Sequence, residues 1–475
     1  MKLRKIVFFL RTSVAFALLV FPAPTMSQGG LAAHQASANQ LIDAALRDSA
    51  AYARLTVLVD RFGHRMSGSA SLERAIDWIV AEMKADGLER VRTEPVMVTN
   101  WVRGAESAVL ESPRRMPLRM LGLGRSVGTP ANGISAPVLV VRNFAELRAR
   151  GREAKGKIIL FNAPFDTTVN PFVGYGQAVQ YRAYGVDSAA AVGAVGVLVR
   201  SVTPHSLNTP HTGALSYADT IRRVPKIPGA AITVEDAEML QRMQNRRERI
   251  VVRLRMGART LPPARSRNVI AEVRGSELPD EIVVIGGHID SWDVGQGAVD
   301  DAGGSVAAWH ALKLIKRLGI RPKRTIRAVL WTNEEVGLSG AFAYRDAHSA
   351  ELEKHVLAME SDNGVFRPRG LFFSGDSSGL PMVRDIAALL RRAGVDSVQA
   401  TGPEADVWPL WQRGVPTLAI DTDPSRYFWY HHTDADTIDK LDPREMALCV
   451  AVMAAVANTA ANMEGRLPGP RPTTQ

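Results

Sequence analysis

The sequence has one cysteine, Cys449, in 475 residues. No disulfide can form within the chain, and metal centres built on thiolates alone, iron–sulfur clusters among them, are excluded. No internal repeat is present, which argues against solenoid and propeller arrays. Beyond the N-terminal stretch, no run is long and apolar enough to span a bilayer, which takes roughly 20 residues. What remains is ordinary globular material. Apolar residues make up 46% and charged residues 22%, which leaves no case for a disordered, collagen-like or coiled-coil chain.

The chain opens with Lys2, Arg4 and Lys5, runs through apolar residues 6–10 and 14–21 around Arg11, and reaches small and turn-forming residues at 22–27. That is the layout of a secretory signal peptide over 1–27, although no clear A-x-A site marks the cleavage point. No cysteine follows, which excludes a lipoprotein. The expectation is a secreted, periplasmic or cell-envelope protein with no membrane span in the mature chain. The formal net charge of +10 invites a nucleic-acid partner. Its distribution argues against one. Residues 121–260 hold 19 basic and 9 acidic residues, whereas 261–475 hold 23 and 28. The surplus lies away from the chemical motifs, and no nucleic-acid recognition motif accompanies it.

Residues 36–60 carry apolar positions at helical spacing, and a turn at 63–69 precedes a helix over 72–83. Strands are expected at 96–102 and 107–110. Between 121 and 260 the texture changes to short β-rich runs (137–142, 157–162, 193–200) with helices near 178–191 and 234–243. This stretch reads as a small α/β domain of its own. From Asn268 strands and helices alternate. Strands are expected at 269–273, 282–287, 325–332, 356–361 and 417–421, and helices at 302–318, 339–350, 380–393 and 444–463. The pattern predicts an α/β fold: a mixed, largely parallel sheet covered by helices on both faces, with its site at the C-terminal strand ends. The expected division is 28–120 and 261–465 for the main domain, 121–260 for the insert, and 466–475 for a flexible tail.

Five polar motifs fall at those strand ends or in adjoining loops. They are Gly286–Asp290 (GGHID), Gly297–Gly304 (GAVDDAGG), Thr332–Glu335 (TNEE), Glu360–Gly364 (ESDNG) and Tyr430–Thr437 (YHHTDADT). Imidazole and carboxylate without thiolate suit Zn²⁺ or another divalent ion. Two histidines and several acids can hold two ions about 3.5–4 Å apart with one carboxylate between them. One further acid must stay off the metals to move a proton, and the Glu334-Glu335 pair meets both needs if one ligates and the other acts as base. Asp290, two residues after His288, is placed to accept its second ring N–H. Each motif alone has a plain alternative, such as a solvated turn or a helix cap; the conjunction carries the metal reading.

Taken together, the motifs resemble the co-catalytic zinc exopeptidases of the aminopeptidase type, over essentially the whole mature chain. The resemblance implies two Zn²⁺ per chain, with Co²⁺ or Mn²⁺ as substitutes. His288 and Asp362 would bind one ion, Glu335 and His432 the other, and Asp300 would bridge. Glu334 would be the general acid/base, with Asp290 supporting His288. Asp300 rather than Asp301, and His432 rather than His431, match the family pattern. The insert resembles a protease-associated domain. The implied activity is hydrolysis of dipeptides or short peptides, by a carboxypeptidase or dipeptidase, with a homodimer as the expected assembly. An aminopeptidase, a single-zinc glutaminyl cyclase-like acyltransferase and a non-catalytic receptor are the alternatives on the same scaffold. His205 and His211 read as a solvated loop and His310 as structural, while Trp408, Trp411 and Trp429 leave a substrate pocket and core packing both open.

Overall fold

A computed structural model describes residues 28–217 and 224–471. The expected signal peptide, 1–27, lies outside the described residues. The main sheet has eight strands in the spatial order Glu89–Val102, Arg259–Val273, Arg324–Trp331, Leu278–His288, His355–Glu360, Thr417–Thr422, Pro368–Ser374 and Ser397–Ala400. Its centre is parallel, from Arg324–Trp331 through Leu278–His288 and His355–Glu360 to Thr417–Thr422. Antiparallel pairs flank that centre on both sides, so the sheet is mixed.

The central strands are apolar on both faces, and their two faces feed two cores. Val283, Ile285, Ile326, Ala328, Leu330, Leu357 and Met359 pack beneath the helices Gln28–Leu46, Ala50–Phe62, Ala70–Ala85, Gly303–Arg317, Leu380–Leu389 and Pro443–Asn462. Their neighbours Ile282, Val284, Val329, Trp331 and Ala358 point the other way, against Ala341 and Tyr344 of the helix Ser339–Ala347. Side chains alternate along a strand, so a strand buried on both sides must be apolar throughout. The helix Pro443–Asn462 is long and apolar enough to cross a bilayer. Here it is a core helix packed between Gln28–Leu46 and Gly303–Arg317, so the expectation that no such run exists was too strict.

The helical pattern over 36–60 resolves into two helices. Asp48 Oδ1 accepts from Ala50 N at 2.8 Å, which starts Ala50–Phe62 as a separate element after Gln28–Leu46 ends. The strand expected at 96–102 extends back to Glu89, because its pairing with Arg259–Val273 continues through polar, half-exposed positions that carry little apolar signal.

A second eight-stranded sheet has the order Met116–Leu118, Glu106–Ser112, Val251–Met256, Ile134–Val141, Ile158–Phe161, Gly196–Arg200, Gly229–Ile232 and Met120–Gly122. Val138, Val140, Ile158 and Leu160 pack with Ala237, Leu240 and Met243 of the helix Val234–Asn245. Leu139, Val141, Ile159 and Phe161 pack with Val186, Ala189 and Ala190 of the helix Pro171–Ala190. The expected boundary between 120 and 121 runs through this sheet, since Glu106–Ser112 pairs with Val251–Met256. The boundary between 260 and 261 falls within Arg259–Val273, a strand of the main sheet.

The start of the tail is docked rather than loose. Leu467 is buried, Asp376 N donates to Pro468 O at 3.1 Å, and Arg466 reaches Glu281 at 2.7 Å and the Glu353 carbonyl at 2.8 Å. Pro-rich composition signalled an irregular backbone, but irregular segments can still be buried. Residues 472–475 lie outside the described residues. Deleting 466–475 should destabilise the protein by about 2 kcal/mol, chiefly through loss of Leu467 burial, and thermal unfolding should show a midpoint lower by a few degrees.

Candidate active site

Three parallel strands end beside one another and deliver the chemistry. Leu278–His288 ends on His288, Arg324–Trp331 leads into Glu334 and Glu335, and His355–Glu360 leads into Asp362. Asp300 comes from the segment before Gly303–Arg317, and His432 follows Tyr427–Tyr430. Gly304 lets the helix approach the neighbouring strand end, since a Cβ there would lie 1.8 Å from Ser361 O.

Asp300 stands between the two histidines. Its Oδ1 is 3.2 Å from His288 Nε2, and its Oδ2 is 3.1 Å from His432 Nε2. Asp362 Oδ1 lies 3.4 Å from His288 Nε2, and Glu335 Oε2 lies 3.2 Å from His432 Nε2. The five residues therefore form two half-sites sharing one carboxylate. His431 stacks on His432 at 3.5 Å between centroids and lies 3.6 Å from Asp300 Oδ2, farther than His432. Asp301 accepts from His288 N at 3.1 Å and Gly304 N at 3.0 Å, so its carboxylate is tied to the backbone at the helix start while standing within 4.8 Å of ligand atoms of His288 and Asp362.

Asp290 meets the second ring nitrogen of His288 as expected, and does so through its backbone. His288 Nδ1 meets the Asp290 backbone carbonyl at 2.9 Å, while the Asp290 carboxylate is 3.8 Å away. That carboxylate instead accepts from Glu334 N at 3.1 Å and holds the backbone of the adjacent acid. A short H-x-D spacing brings both groups of Asp290 near His288, and the local turn decides which one bonds.

The electrostatics are those of acids gathered away from water. Burial, with Asp362, Asp406 and Asp300 nearby, drives the Glu334 carboxyl well above the usual range. Burial and the charges of Asp300 and Glu334 do the same to Glu335. Burial, with Asp300 beside it, pushes Asp362 up to about 6. Against the upward push of burial, the hydrogen bond from His288 and the close imidazoles of His432 and His431 hold Asp300 well below it. Asp300 Oδ2, Glu335 Oε1 and Asp362 Oδ1 are buried oxygens without a hydrogen-bond donor. Orphaned carboxylate oxygens facing two imidazoles fit a divalent cation.

Two supports were not singled out in the sequence. Asp436 Oδ1 accepts from Ala298 N at 2.8 Å and Val299 N at 2.6 Å, and its Oδ2 from Asp300 N at 3.2 Å, so one side chain shapes the loop that presents Asp300. Arg65 is fully buried and donates to the carbonyls of Ile289 (2.7 Å), Gly63 (2.9 Å), Gln296 (2.7 Å) and Gly297 (2.9 Å). The turn at 63–69 carried the only hint of this role, and an arginine in a turn ordinarily faces solvent.

The cavity at the site has a volume of about 260 Å³. Phe172, Tyr175, Arg182 and Ala214, all from the stretch between the two halves of the main sheet, form one wall. His211 of that stretch is buried rather than solvated, and burial, with His432 nearby, lowers its ring to about 3. His205 is exposed and stacks on Trp429. Trp408 and Trp429 are each more than a third exposed, and neither they nor Trp411 line the cavity. His310 is buried against Asp48 at 3.2 Å, a structural contact.

Fold and site fit an α/β protein that binds a divalent metal, and relatives make it a metallopeptidase. Residues 268–457 match peptidase family M28. Carboxypeptidase Q of Xenopus laevis is 48% identical over 434 residues, spanning 91% of this chain and 90% of that protein. The crystal structure of a peptidase M28 precursor from Shewanella amazonensis has a TM-score of 0.89 at 37% identity, covering 93% of this chain and 100% of that one. A zinc aminopeptidase from Bacillus subtilis, at 20% identity and a TM-score of 0.64 over 90% of this chain and 98% of its own, shares the fold. The chain belongs to peptidase family M28, and its likeness to carboxypeptidase Q runs nearly end to end.

Replacing Arg65 by Met should destabilise the protein by about 3 kcal/mol or more, because four carbonyls, those of Ile289 and Gly297 buried, lose a charged donor together. Urea unfolding monitored by fluorescence should register the loss.

Proposed function

We propose that this chain is an exported, dinuclear zinc exopeptidase acting on dipeptides or short peptides. His288 and Asp362 would hold one ion, Glu335 and His432 the second, with Asp300 shared. The observation that carries this reading is Asp300, whose two oxygens each face a different histidine at 3.2 and 3.1 Å. The donor set of nitrogen and oxygen without sulfur is one that zinc accepts. Bound zinc would polarise the scissile carbonyl and make a water more acidic.

The rest of the work falls to the chain. Glu334, its carboxyl kept high by burial and neighbouring acids, takes the proton of the attacking water and delivers it to the departing nitrogen. Asp290 anchors the Glu334 backbone and so fixes where that carboxyl stands. Asp436 and Asp301 keep the Asp300 loop in register from behind. The second sheet, 106–256, is the protease-associated unit, and it closes one side of the cavity. Export rests on the signal-like residues 1–27.

Glu334→Gln should keep the fold and the metal content yet lose about 10²–10⁴-fold in kcat. A variant that stays fully active on peptides would sink the assignment of the base. Elemental analysis of purified enzyme should give two zinc ions per chain, and a single tightly held zinc would defeat the dinuclear reading.

A further inference from the structure

The cavity wall supplied by the second sheet holds one group that neither the metals nor the base require. Among the described residues lining the cavity, Arg182 is the only lysine or arginine. We propose that its guanidinium anchors the free C-terminal carboxylate of the peptide, so that substrate polarity is read by the accessory unit. The proposal rests on the peptidase reading above and assigns a residue to it.

The guanidinium is buried, and it forms no ion pair among the described residues. Its partners are neutral: Nη1 donates to Thr212 O at 3.2 Å, and Nη2 to the Tyr175 hydroxyl at 2.8 Å. Nε has no acceptor. Five N–H donors are available on the group, so these bonds leave donors open. A buried, unpaired cation is costly, and a planar carboxylate meets a guanidinium with two parallel hydrogen bonds. Five acids also line the cavity. Asp300, Glu335 and Asp362 belong to the proposed metal sites and Glu334 to proton transfer. Glu404 is held at 2.8 Å by Asn363. None of them approaches Arg182 within ion-pair distance.

The position is built for the group. Gly213 has φ +133°, and a Cβ there would lie 2.3 Å from Arg182 Cζ, so any side chain at 213 would displace the guanidinium. Nη1 is 3.5 Å from His432 Nδ1, which puts an anion held by Arg182 next to the half-site of Glu335 and His432. An amidated C-terminus carries no charge for that group to meet.

The test uses the zinc-loaded full enzyme and matched dipeptides with free or amidated C-termini. Wild-type should favour the free acid in kcat/KM. Arg182→Gln should lose about 30-fold or more on the free acid, the loss expected for a charged hydrogen bond, while its rate on the amide changes little. Arg182→Lys should recover part of the free-acid rate. Equal losses on both substrates would overturn the proposal, because a merely structural Arg182 would not distinguish them. If Arg182→Gln does not fold, wild-type alone still decides: equal rates on acid and amide overturn the carboxylate anchor and leave the peptidase reading standing. No zinc-dependent hydrolysis of either substrate would overturn both.

Discussion

Like charges do not gather in a dry place unless something compensates them, and the whole structure turns on that constraint. Asp290, Glu334, Glu335 and Asp362 lie within a few residues of the ends of three adjacent parallel strands, and Asp300 and Asp301 join them from the segment before Gly303–Arg317. Each is drawn out of water, and most are pushed towards their neutral forms. The protein answers with backbone donors where an acid must stay put, as at Asp301, Asp436 and Asp290. It answers with imidazoles where a cation belongs, at His288 and His432. Asp300 Oδ2 and Asp362 Oδ1, which face those imidazoles, are left without donors.

Arg65 shows the same constraint from the opposite side. A fully buried guanidinium would be costly by itself, yet it bridges the carbonyls of the loops that follow His288 and precede Asp300. Nearby acids, Asp436 first among them, oppose the loss of its charge, although burial still lowers it to about 10. The site is therefore held from behind by a buried cation.

The charge distribution acquires a physical reading from the two sheets. The basic surplus in the sequence belongs to the unit that supplies the cavity wall, and one of its arginines reaches the site itself. The other wall is acidic and comes from the main sheet.

Much of this was legible in the chain. Alternating apolar runs announced the central strands, because a strand covered on both faces has no polar side to show. The glycine-flanked acids and histidines marked the strand ends, since close approach and ligand chemistry both demand particular residue types. The antiparallel edge Glu89–Val102 was read short because half-exposed positions carry weak periodicity. Residues 106–120 were assigned to the main domain because strand partners far apart in sequence leave no local mark. His211 looked like a loop residue and is buried; Asp290 was expected to accept the second ring N–H of His288, and its carbonyl is the group that meets it. By itself the sequence determined which side chains were available and at which strand ends they would stand. Only the tertiary structure decided which oxygen of which acid faces which histidine, that Arg65 and Asp436 hold the site from behind, and that Arg182 reaches it from a helix packed on the second sheet, because such contacts are set by three-dimensional packing and not by spacing along the chain.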